Sequence, residues 1–125
     1  MFTVQDLINE ARAVQGAFDL DEVFRAAVVG AALRTKAGNI FTGVSLELAC
    51  GIGFCAEHSA VAEMLKHRET HIEAVVAVSP AGVIPPCGRC RELMAQVDRR
   101  NLDTEVIVSA GKAVALRTLL PMRWY

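Results

Sequence analysis

The sequence predicts an α/β fold, a three-layer arrangement with a mixed five-stranded sheet and helices on both faces. Three observations carry that prediction. Strand-type apolar runs alternate with helical periodicity in the second half of the chain, the rhythm of βαβ units. The run Ile72–Val78 is nearly continuous Ala and Val, as a strand covered on both faces should be. Two further apolar runs, Ala26–Thr35 and Ile40–Leu48, flank the turn residues Lys36-Ala37-Gly38-Asn39 and predict a hairpin. At 125 residues, 53% of them hydrophobic, the chain is sized for one domain over 1–125 with a substantial core.

Thr3, with Asp6 three residues on, makes a capping-box pattern in which Asp replaces the usual Glu. Leu7, Ile8, Ala11 and Val14 follow at helical spacing, predicting a helix from about Val4 to Gln15 that ends near Gly16. The charged stretch Asp19–Arg25 reads as an exposed turn or short helix. After the hairpin, Gly51 and Gly53 loosen the chain before Cys55. A close approach of backbone to a ligand uses such glycines, and so does an ordinary loop. Ala56 to about His67 reads as a helix with Ala60, Val61, Met64 and Leu65 inward. Ser79–Pro86 is a loop carrying Pro and Gly, and Cys87 to about Arg99 is another helix. Leu102–Thr104 turns the chain into a strand at Glu105–Ser109, set parallel to Ile72–Val78 by a right-handed crossover. A short strand near Val114, then Leu119-Leu120-Pro121, closes the chain.

The formal charge of −1 provides no basic footprint for nucleic acid or an anionic membrane. No run approaches the length of a membrane span, and the N-terminus lacks a basic-then-apolar signal pattern. The expectation is a soluble cytoplasmic protein whose thiols stay reduced, so its four cysteines suit metal binding better than a disulfide frame. Cys50 reads as a small buried hydrophobe.

The chemistry concentrates in Cys55-Ala56-Glu57 and Pro86-Cys87-Gly88-Arg89-Cys90. Cys55, Cys87 and Cys90 can hold one Zn²⁺ as thiolates, and three protein ligands leave the fourth tetrahedral position open for water. All three fall near the first turns of helices, where unpaired N–H groups and a partial positive charge stabilise sulfur ligands. Glu57, two residues past the first ligand, is placed to carry protons to and from that water. Alone, a first-turn carboxylate is usually no more than an N-terminal charge stabiliser. Together the two stretches follow the pattern of the zinc deaminases, with Cys as first ligand. A competing arrangement uses Cys50 as a fourth thiolate and closes the site as a structural one. An editing enzyme acting on nucleic acid is disfavoured by the near-neutral charge and scarce aromatics. Arg89 and Arg91 flank Cys90 with no assigned role.

Beyond the ligands, Cys55-Ala56-Glu57-His58-Ser59-Ala60 and Pro86-Cys87-Gly88-Arg89-Cys90-Arg91-Glu92-Leu93 occur with Val29-Gly30-Ala31-Ala32-Leu33, Phe41-Thr42-Gly43-Val44 and Leu119-Leu120-Pro121. In that order, from about Val29 to Trp124, the chain resembles the small homotetrameric cytidine deaminases and the related blasticidin S deaminases. The resemblance implies one Zn²⁺ per subunit and a homotetramer. It implies hydrolytic deamination of an aminated pyrimidine or analogue: a cytidine-like nucleoside, a nucleobase, or a blasticidin S-type antibiotic. Neither nucleic acid nor membrane is an implied partner. It implies substrate contacts from Ser45, Glu47, Ala56 and Trp124, with Trp124 on the position of an aromatic that reaches towards a neighbouring subunit's site. Two departures stand out. Family members often carry an Arg after the catalytic Glu, donating to the ligand sulfurs, whereas this chain has His58, which offers one hydrogen bond and no permanent charge. Cytidine deaminases hold the ribose hydroxyls with an Asn and a Glu two apart. Here Glu47 is kept and Ser45 replaces the Asn, which blasticidin S deaminases also keep.

Overall fold

The computed structural model describes residues 1–125. Helix α1 (Val4–Val14) starts on the expected capping box, Thr3 Oγ1 accepting from the Asp6 amide at 3.1 Å and Asp6 Oδ2 from the Thr3 amide at 2.7 Å. It buries Leu7, Ile8 and Ala11, which its 3.6-residue period brings to one face.

The stretch Asp19–Arg25 corrects the expectation of a turn or short helix. Strand β1 (Phe18–Asp21) and the start of β2 (Phe24–Thr35) form an antiparallel hairpin there. Its charges belong to strand pairing: Asp19 opposes Arg25, with an ion pair at 3.6 Å, and Asp21 Oδ1 caps the turn by accepting from the Val23 amide.

Strand β2 organises the sheet. Strand β3 (Ile40–Leu48) runs antiparallel along one edge, joined through the predicted turn, where Gly38 takes a φ of 94°. The other edge is divided, β1 pairing at Phe24–Ala26 and β4 (Ile72–Ser79) at Gly30–Thr35. The register breaks between Ala26 and Gly30, and there Ala27 has a φ of 62°. Ser45 Oγ accepts the Val29 amide at 3.0 Å, satisfying a backbone donor where the ladder is irregular.

Strand β4 then pairs parallel with β6 (Glu105–Ser109), which pairs antiparallel with β7 (Lys112–Ala115). The short strand β5 (Gly82–Ile84) folds back on β4 inside the stretch expected as a loop. Ser79 makes that turn: its hydroxyl accepts from the Ala81 amide and donates to the Gly82 carbonyl, with Gly82 at a φ of 111°. The sheet therefore has seven strands, the expected five in the order β3-β2-β4-β6-β7 plus β1 and β5.

Strand alternation sorts the core into two layers. On one face Leu33, Val75 and Ala77 pack with Ala60, Val61 and Met64 of α2 (Ala56–Lys66) and Met94 of α3 (Gly88–Val97). On the other, Ala32, Val76, Val78 and Ile107 pack with Leu7, Ile8 and Ala11 of α1. Asn101, fully buried in the 3₁₀ turn Arg99–Asp103, ties the end of α3 to the start of β4. It donates to the carbonyls of Met94 and Thr70 and accepts from the Ile72 amide, all within 3.0 Å. No helix is long and apolar enough to cross a membrane.

Two close contacts deliver the site. Gly43 of β3 lies under the first turn of α2, where a Cβ would overlap the Ala60 amide nitrogen and the Ala56 carbonyl. Gly53 lies against the Leu46 carbonyl beside a two-bond bridge between Leu46 and Phe54, each bond 2.9 Å. Gly53 thus serves close backbone approach, within the protein itself, while Gly51 at a φ of 65° serves the turn.

Candidate metal centre and active site

Cys55 is the N-cap of α2 and Cys87 the N-cap of α3, both with extended backbone, and Cys90 lies in the first turn of α3. The two helix N-termini converge, so the three sulfurs meet. Cys55 Sγ is 3.3 Å from Cys87 Sγ, Cys87 Sγ is 3.5 Å from Cys90 Sγ, and all three lie within 4.8 Å of one another. Tetrahedral Zn–S bonds of ~2.3 Å separate sulfurs by ~3.8 Å, so this spacing fits one zinc ion. Cys50 stays outside the cluster, so the thiols brought together are three and not four. It is also exposed, in the turn Ala49–Gly51 with a φ of 63°, and not the buried hydrophobe expected.

Burial pushes the Cys55 and Cys90 thiols up, and the Glu57 carboxylate adds to the rise. Cys87 titrates below the ordinary thiol range. Partial burial raises it, but the amides of Cys90 and Arg89 and the neighbouring thiols outweigh that. Metal uptake must therefore expel thiol protons. His58 Nδ1 stands 3.3 Å from Cys90 Sγ, and burial followed by the Arg89 charge holds the ring below the usual imidazole range. A neutral His58 protonated at Nδ1 donates to that sulfur.

Glu57 is a carboxylate on the core face of a helix, three, four and seven residues before Ala60, Val61 and Met64. It is only 4% exposed, and burial pushes its carboxyl up. With Cys55, Ala56 and Cys87 it lines a cavity of about 440 Å³, within the size range of small-molecule sites. Ser45 and Glu47, two residues apart on β3, line the same cavity. Ser45 already accepts the Val29 amide and keeps its own O–H proton to donate, while Glu47 is exposed.

The structure thus brings Cys55, Cys87, Cys90, Glu57, Ala56, Ser45, Glu47 and His58 to one end of the sheet. Trp124 is not among them. It is 93% exposed, edge-on to Tyr125 beside Ala95, Gln96 and Arg99 near the C-terminal end of α3. Val29, Phe54, Ile84 and Arg89 also line the cavity, although the sequence assigned none of them a role there. Phe54, next to Cys55, and Arg89, between Cys87 and Cys90, had a local signal. Val29 looked like any strand residue, and Ile84 depends on the short strand β5.

Cys87→Ala should lower zinc content from one ion per chain to near zero and lower the melting temperature, because ligand bonds contribute to folding. Metal analysis and thermal unfolding, with and without a chelator, check both. Full retention of zinc by the variant would rule Cys87 out as a ligand.

The comparisons with known proteins agree with this geometry. The chain is 35% identical to a cytidine deaminase of Halalkalibacterium halodurans over 96 residues, covering 74% of this chain and 70% of that protein. It is 35% identical to a blasticidin-S deaminase of Bacillus cereus over 109 residues, 77% and 76% of the two chains. Among solved structures, the cytidine deaminase of Burkholderia pseudomallei superposes with a TM-score of 0.80 at 30% identity, covering 98% of this chain and 100% of that one. That of Mycobacterium leprae gives 0.81 at 26% identity, with 98% and 100% coverage. Residues 5–106 match the family described as the cytidine and deoxycytidylate deaminase zinc-binding region, and the chain belongs to that family.

Proposed function

We propose that this protein is a zinc-dependent hydrolase that replaces the exocyclic amine of a cytidine-like substrate with a carbonyl, releasing ammonia. The observation that carries the reading is the convergence of three thiols and a buried carboxylate on one cavity. Cys55, Cys87 and Cys90 would hold the zinc ion, whose contribution when bound is to bring the pKa of water down towards ~7. Glu57 takes the proton of the water that attacks the ring carbon bearing the amine. It then returns protons to a ring nitrogen and to the leaving ammonia. Burial suits Glu57 to this work, because a raised pKa lets the carboxyl hold a proton between the two transfers. Two helix N-termini and the His58 N–H face the sulfurs and offset their negative charge.

Glu57→Gln should keep the fold and the zinc but lose turnover by ~10²–10⁴-fold, because an amide cannot accept the proton. Steady-state ammonia release measures this. Retention of more than about a tenth of the wild-type rate would remove Glu57 from the role of general base.

Ser45 and Glu47 bear on which cytidine-like molecule is used. A site built to hydrogen-bond a hydroxyl discriminates strongly against ligands lacking it. Ser45 is short and already holds the Val29 amide, so sugar recognition falls mainly to Glu47. The enzyme should therefore accept free aminated bases relatively better, and cytidine less well, than a site with Asn at this position. Ser45→Asn should raise the kcat/KM ratio of cytidine over cytosine. Wild-type preference for cytidine that the substitution leaves unaltered would refute this account. Including blasticidin S in the same screen tests the second substrate class, which the similarity to the Bacillus cereus protein supports.

The assembly we infer is a homotetramer in which Trp124 reaches a neighbouring subunit's cavity. Its exposure and its place outside the lining of its own chain's cavity support that. Light scattering should give four chains, and deletion of Trp124 and Tyr125 should raise KM. A monomer, or an unchanged KM, counts against it.

A further inference from the structure

Arg91 follows the last metal-ligating cysteine, yet its side chain points away from the cavity and into the backbone around it. The guanidinium donates from Nε to the Pro86 carbonyl at 2.8 Å and, through a longer contact of 3.4 Å, from Nη1 to the Leu119 carbonyl. Pro86 is buried and immediately precedes Cys87. Leu119 ends the 3₁₀ turn Leu116–Leu119, five residues before Trp124. One planar cation therefore bridges the metal-bearing loop and the C-terminal segment. From the geometry we infer that Arg91 is a positioning residue for the metal centre, fixing the direction of Cys87 and coupling it to the C-terminal segment.

The physical argument starts with Pro86. Its ring sets its own φ, which leaves ψ as the soft dihedral ahead of Cys87. A hydrogen bond to the Pro86 carbonyl fixes that remaining rotation, because the carbonyl moves with ψ. Cys87 is the N-cap of α3: its carbonyl accepts the Arg91 amide at 3.1 Å and its thiol faces the Arg89 and Cys90 amides, so the helix holds it from the C-terminal side and the Pro86 carbonyl is the hold on the chain before it. Cys90, by contrast, is buried within the first turn of the same helix and held by it. Within α3, Cys90 is thus placed by the helix alone, whereas Cys87 is held in addition by Arg91 from the chain before it. The guanidinium suits this task because its fork presents donors in two directions in one plane, and a lysine can replace at most one of them well. The contact with Leu119 anchors the turn from which the last six residues extend, so a loop shift at Cys87 is transmitted towards Trp124.

The inference rests on the three cysteines holding zinc, and the experiment separates the two claims. Zinc affinity of the full chain is measured by chelator competition for the wild type, Arg91→Lys and Arg91→Ala, with the melting temperature of each zinc-free protein recorded alongside. Trp124 is the only tryptophan, so its emission in zinc-loaded and zinc-free protein reports the C-terminal segment. Arg91→Ala is expected to weaken zinc binding at least tenfold, Arg91→Lys less, and the zinc-dependent change in Trp124 emission to be present in the wild type and lost in Arg91→Ala. Should Arg91→Ala not fold, the affinity and emission of Arg91→Lys decide, with intermediate values expected. The inference is overturned if zinc affinity stays within twofold of wild type while only the zinc-free melting temperature falls, since that is what a purely structural role produces. It is equally overturned if Trp124 emission ignores zinc in the wild type. A wild type that takes up no zinc overturns the metal-site reading itself, and this inference with it.

Discussion

The close contact between β3 and the first turn of α2 is the constraint on which the rest depends. Gly43 permits it, since any side chain there would collide with backbone and not with a flexible side-chain tip. Because α2 lies so low on the sheet, its N-terminus comes level with Ser45 and Glu47 at the end of β3. The bridge between Leu46 and Phe54 then holds the loop that leads into Cys55. Metal ligand, carboxylate and cavity wall are therefore fixed by main-chain contacts. Main-chain contacts are stiffer than side-chain packing, and a three-ligand site needs that stiffness because one ligand fewer defines its geometry.

Electrostatics explains the choice of helix ends. Three thiolates around a divalent ion carry a net charge of −1, and Glu57 adds a second negative group whose charge raises the Cys90 thiol further. Left uncompensated, this would weaken the ion as an acid and disfavour the ionised thiols, and it adds to the burial that already pushes the Cys55 and Cys90 thiols up. Two converging helix N-termini supply unpaired N–H groups without adding mobile charge, and His58, when its Nδ1 carries the proton, adds one directed donor. The result is a negative cluster held by dipoles, with a buried carboxyl beside it.

Behind the site, the sheet must be rigid on both faces. The alternating residues of β4 fill two separate core layers, and Asn101 ties the start of β4 to α3 by three hydrogen bonds, two of them buried. Removing such a residue would leave several buried partners unpaired, each costing about 1–3 kcal/mol. That lock makes α3, which carries two of the three ligands, a fixed extension of the central strand.

Much of this was legible in the sequence, for a physical reason. Helix and strand periodicity, the capping box at Thr3 and the turn at Lys36–Asn39 are local, so α1, α2, α3 and the strands β2, β3, β4 and β6 could be read close to their observed bounds. The ligand set was legible because metal chemistry restricts residue type and spacing, and Cys87 and Cys90 need only one helical turn to meet. What sequence could not decide were features set by partners distant along the chain. Asp19–Arg25 looked like a charged turn because its strand exists only through pairing with β2, and β5 only through pairing with β4. Cys50 looked buried by residue type, while the turn that carries it faces solvent. The roles of Gly53 and Arg91 depend on the backbone of Leu46, Pro86 and Leu119, and nothing in their own neighbourhoods announced those contacts. Local chemistry named the ligands, and only the tertiary contacts decided how two helices bring them to one point.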